Sequence, residues 1–71
     1  MDRRAFFVAL ELGNQYLKLG KQDEARNAYQ NALDNCPDVD PNKVLIADQV
    51  EKFKVSATLD GIQPLRNPAL E

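Results

Sequence analysis

Apolar residues recur along this chain at the three-and-four spacing of amphipathic helices, in three blocks separated by breakers. The first block runs from about Arg3 to Leu19, with Asp2 placed to cap its start and Gly20 to end it. The second runs from about Asp23 to Asn35. Asp23 and Glu24 lie in its first turn, where the helix dipole favours anions, and Pro37 forces the chain out at its end. The third runs from about Pro41 to Ser56 or slightly beyond. Asp40 offers a capping oxygen, Pro41 a backbone preset for the first turn, and Asp60-Gly61 a stop. Period-two alternation is missing, so the pattern predicts no strand. Residues 60–71 carry Pro64 and Pro68 and are expected to be extended or disordered; the final Leu70-Glu71 is compatible with a cloning remnant.

The faces of these helices differ. On the first, Val8, Leu12, Tyr16 and Leu19 form a stripe suited to packing on the second helix. Phe6, Leu10 and Leu17 widen the apolar arc to about 200°, at 100° per residue, and Phe7 lies further round. On the third, Ile46, Val50, Phe53 and Ala57 make a stripe flanked by Ala47. Val44, Val55 and Leu59 lie nearly opposite, among Asp48, Glu51 and Lys52, with Asp48 and Lys52 spaced as an ion pair. The second helix has one narrow stripe, Ala25, Ala28, Tyr29, Ala32 and Cys36, and an otherwise polar surface, as expected of an outer helix. The surplus apolar surface therefore belongs to the first and third helices.

The spacing of Leu12-Gly13, Tyr16, Gly20, Ala25, Tyr29, Ala32 and Pro37 has a physical reading of its own. Gly13 and Ala32 allow two helix backbones to approach, Tyr16 and Tyr29 fill the space beside them, and Gly20 lets the chain reverse. The stretch from Phe6 to Pro37 also resembles a tetratricopeptide (TPR) repeat, a helix–turn–helix unit of about 34 residues, with Ala9 where the family often has Trp. The resemblance extends weakly into the third helix, with Ile46-Ala47 and Val50 in the register of Leu12-Gly13 and Tyr16. It implies an all-α fold: a TPR hairpin over residues 1–37, a third, capping-type helix over 38–59 and a tail over 60–71, together a fragment of a right-handed α-solenoid.

Carried over by register, the resemblance implies a partner-binding groove lined by Phe7, Leu10, Asn14, Leu17 and Lys18, suited to an apolar peptide or an amphipathic helix. Val44, Val55 and Leu59 are a candidate second interface. Some members of the family clamp C-terminal carboxylates with Lys, Arg and Asn. Only Asn14 matches that set, and Leu10 stands where Lys is required.

Composition narrows the remaining options. A chain of 71 residues buries a modest share of its surface and gains most from a partner. With one cysteine, Cys36, and no histidine, neither an internal disulfide nor a zinc site of the usual ligands is expected, and no cofactor is implied. Cys36 reads as a small buried apolar residue at a helix C-terminus, where the dipole does not activate a thiol. Nine basic and eleven acidic residues give a net charge of −2, which argues against nucleic acid or an anionic membrane surface as partner. Arg3-Arg4 before Ala5-Phe6-Phe7-Val8 is superficially similar to a twin-arginine export signal, but Glu11 and Asn14 interrupt the apolar run, so a cytoplasmic location is expected. Asp38 and Asp40 suit capping better than calcium, and the three glycines form no phosphate loop. The expectation is therefore no enzyme but a TPR-type adaptor or scaffold docking another protein. The alternative is a self-associating module that assembles homo-oligomers, most simply dimers.

Overall fold

The computed structural model describes residues 3–56 and 58–66. Three α-helices span Arg3–Lys18 (α1), Gln22–Asn35 (α2) and Asn42–Val55 (α3), and the described residues contain no strand. The proposed cap Asp2, Ala57 and the tail residues 67–71, with Pro68 and Leu70-Glu71, lie outside the described residues.

Each boundary has a local cause. Gly20 ends α1 with φ +75°, a left-handed conformation that favours glycine, and Lys21 N–H closes the turn on the Tyr16 carbonyl at 2.9 Å. Asp40 opens α3: its Oδ1 accepts the Asn42 backbone N–H at 2.9 Å, satisfying a donor at the helix start. Lys43 from the first turn of α3 reaches back to Asp38 and to the Cys36 carbonyl, tying the α2–α3 loop to both helices. Asp48 and Lys52 form the expected pair along α3, at 3.6 Å.

The helices pack in chain order, with α2 against both α1 and α3. Ala25 and Ala32 give α2 a flat inner surface, and Tyr29 fills the space between its neighbours. The Tyr29 ring lies against Gly13 of α1 so closely that a Cβ on Gly13 would stand 2.7 Å from its Cδ1. The same ring meets Phe53 of α3, centroids 5.6 Å apart, an ordinary aromatic pairing distance. The core combines Phe6, Ala9, Leu10 and Leu17 from α1 with Ile46, Val50 and Phe53 from α3. Of the stripe expected on α3, Ile46, Val50 and Phe53 face inward while the flanking Ala47 is exposed, and Cys36 is buried.

The inward face of α1 is not the expected one. Val8, Leu12 and Leu19, read as packing on α2, are 60%, 47% and 68% exposed, and Tyr16 is half-buried. The face that packs runs through Phe6, Ala9, Leu10, Gly13, Asn14 and Leu17. The reason is steric. Tyr29 needs a glycine opposite it, and Gly13 lies on the Phe6–Leu17 side of the helix.

A groove between the first and third helices

The chain leaves α3 through a turn at Gly61, whose φ of +82° is again left-handed, closed by Ile62 N–H donating to the Leu59 carbonyl at 3.1 Å. From there it runs without regular structure along the molecule. Ile62 joins the hydrophobic core, and Leu65 packs against it. The described part of the tail is thus neither free nor helical. It crosses the space between α1 and α3.

Two buried side-chain amides hold it there. Gln49 on α3, 1% exposed, donates through Nε2 to the Gln63 carbonyl at 2.6 Å. Asn14 on α1, 4% exposed, engages both main-chain groups of Leu65. Its Nδ2 donates to the Leu65 carbonyl at 2.7 Å, and its Oδ1 accepts the Leu65 N–H at 2.8 Å. One residue's N–H and C=O are thereby paired as a neighbouring β-strand would pair them. Asn14 Oδ1 also accepts from the Tyr29 hydroxyl, which fixes the orientation of the amide. The floor of the groove is therefore Tyr29, its walls are Asn14 and Gln49, and among the described residues no buried side-chain nitrogen or oxygen lacks a partner. Burial pushes the Tyr29 phenol above its ordinary pKa, so it remains a proton donor across the neutral range.

Side chains along the docked segment are treated unequally. Ile62 is buried and Leu65 half-buried, whereas Gln63 and Pro64 are exposed. Pro64 has no N–H to satisfy and restrains Gln63 to an extended backbone.

The residues expected to line a partner groove separate into three groups. Leu10, Asn14 and Leu17 do converge on one face, but they are buried beneath the chain's own packing and not displayed. This corrects the expectation of an open apolar surface there: Leu10 and Leu17 belong to the core that Ile62 joins and Leu65 packs against, and Asn14 is hydrogen-bonded to Leu65. Phe7 is half-buried, its ring centroid 4.4 Å from that of Phe6. Lys18 is exposed in the last turn of α1. Of the second candidate interface, Val44 and Val55 are exposed, but Leu59 packs on the core and leaves that set. Leu12, Gly13, Tyr16, Gly20, Ala25, Tyr29, Ala32 and Pro37, placed by the repeat register, divide likewise. Gly13, Ala25, Tyr29 and Ala32 are buried between helices, Pro37 and Tyr16 are half-buried, and Leu12 and Gly20 are exposed.

Gln49 was not anticipated. Its signal was present: a polar residue at the spacing of the Ile46, Val50 and Phe53 stripe, where an apolar residue was due. Among the described residues there is no cluster of three or more His, Cys, Asp or Glu side chains able to hold a metal ion. No described helix is long and apolar enough to cross a membrane. Compared with protein-family models, characterised proteins and solved structures, the chain shows no match.

Proposed function

We propose that this chain is a protein-interaction module of the TPR type, a fragment of a right-handed α-solenoid whose α1–α3 groove receives an apolar segment of another protein. The observation that carries this reading is the double hydrogen bond from Asn14 to the backbone of Leu65, with Gln49 serving the backbone two residues earlier. Side chains that satisfy the main chain of an extended segment give affinity independent of its sequence, while adjacent apolar pockets give selectivity. The TPR assignment is supported by the register of Leu12-Gly13, Tyr16, Gly20, Ala25, Tyr29, Ala32 and Pro37 and by the seating of Gly13 against Tyr29. Such a module is an adaptor and not an enzyme. Its partner is a protein or peptide, it needs no cofactor, and its setting is the cytoplasm.

The test is a binding titration followed residue by residue. Apolar peptides added to the isotope-labelled chain should move the side-chain amide signals of Asn14 and Gln49 in a saturable way, and Asn14→Ala should remove the response that remains to be read at Gln49. Peptides that bind without moving either signal would place the function elsewhere.

A second reading has its own observation. Val8 and Leu12 on one side of α1 and Leu19 just past its end form an exposed apolar stripe, and such a stripe suits a helix-to-helix contact between two copies. Leu12→Glu should leave the mass in solution unchanged if the module acts as an adaptor alone, and should halve it if this stripe assembles a dimer.

A further inference from the structure

We infer that the groove selects extended segments of the pattern apolar–any residue–proline–leucine, and that residues 62–65 are the resident example of that ligand. The inference rests on the groove reading above and specifies its ligand class. Each position of the pattern follows from what the groove does to Ile62, Gln63, Pro64 and Leu65. The first is buried in the core, so the position demands an apolar side chain. The second gives only its carbonyl, to Gln49 Nε2, while its side chain is exposed, so any residue serves. The third has no N–H to satisfy and its ring is exposed; a proline there sacrifices no hydrogen bond and holds the preceding residue extended, which lowers the entropy cost of binding. The fourth presents N–H and C=O together to Asn14 and packs its side chain against the core. A second proline at that position would remove the N–H that Asn14 Oδ1 accepts, so leucine and proline cannot trade places.

This reading also implies competition. A partner segment enters where Ile62–Leu65 already lies, so its apparent affinity is reduced by the fraction of chains whose groove is occupied. Displacement of the resident segment would have to begin after Gly61, which is left-handed and has open space where a Cβ would stand.

The probe is the peptide Asp-Gly-Ile-Gln-Pro-Leu-Arg, the sequence of residues 60–66, titrated into the full chain while the Asn14 and Gln49 side-chain amides are followed. Three altered peptides accompany it: leucine to serine, N-methylated leucine, and a version with leucine and proline exchanged. The parent peptide is expected to bind saturably, and each altered peptide at least about tenfold more weakly, the value of one lost hydrogen bond or buried side chain. The double variant Ile62→Ser, Leu65→Ser of the same chain, with its helicity checked by circular dichroism, is expected to bind the parent peptide about tenfold or more tightly than the native chain does. If that variant loses its helices, the native chain at millimolar peptide concentration decides the matter with the same four peptides. Equal binding of the exchanged peptide overturns the pattern while leaving the groove as a peptide site. Failure of every peptide to move Asn14 or Gln49, in the native chain and in a helical double variant, overturns both the pattern and the groove reading.

Discussion

The two long faces of α1 are similarly apolar in sequence and opposite in role. Phe6, Leu10 and Leu17 are buried, whereas Val8 and Leu12, with Leu19 just past the helix end, stand at the surface. Hydrophobicity alone does not separate them. What separates them is the company they keep: Gly13 and Asn14 lie on the buried side, one admitting the Tyr29 ring and the other satisfying its hydroxyl and the backbone of Leu65. A helix whose apolar arc exceeds half its circumference is oriented by its smallest residue and by its best-placed polar one.

The sharpest way to break the comparison is truncation on each side. Leu10→Ala should cost about 2–5 kcal/mol, enough to unfold much of a domain this small, whereas Leu12→Ala should change stability by no more than about 0.5 kcal/mol. Urea unfolding followed by far-ultraviolet circular dichroism reads both, and equal losses would mean that the faces have been assigned wrongly. Gly13→Ala comes next. Its Cβ would stand within 3.0 Å of three Tyr29 ring atoms, and the overpacking should cost about 1–3 kcal/mol, outweighing the gain of up to about 1 kcal/mol in helix propensity. A Gly13→Ala variant more stable than the native chain would show that Tyr29 can move aside.

Much of the fold was legible from the chain because its punctuation is strong. Gly20, Pro37 and the Asp40-Pro41 pair mark breaks that the structure honours to within a residue or so, and the Ile46, Val50 and Phe53 stripe faces inward as read. The orientation of α1 was not legible, because helical periodicity locates stripes without saying which one meets a neighbour. The docked segment was hidden for a different reason. Pro64 forbids a helix, and a short irregular stretch after Gly61 has no periodic pattern from which burial could be read. Its anchors were visible only as anomalies: Asn14 within the apolar face of α1 and Gln49 within that of α3. Asn14 entered the candidate site through the repeat register, and Gln49 had no such register to mark it.

Smaller effects sharpen the picture by pH. Tyr29 is an acid whose pKa rises on folding, so its contribution is complete below the ordinary tyrosine value of 10.0 and is lost as pH climbs through the folded value. Stability should therefore fall with alkali above about pH 10, and the loss should be blunted in Tyr29→Phe, measured as urea midpoint against pH. Asp38 behaves in the opposite sense. Its hydrogen bond from Lys43 holds its pKa below the ordinary 3.8, so its contribution is present above that value and lost as the solution is acidified further. Asp38 is fully exposed, so Asp38→Asn should leave the unfolding midpoint at neutral pH within experimental scatter.

The most direct measurement is amide hydrogen exchange at Leu65. If Asn14 holds the segment in the groove, the Leu65 N–H is protected in the native chain, and Asn14→Ala releases it while the helices keep their own protection. A Leu65 N–H that exchanges at the unprotected rate in the native chain would contradict the account at its centre.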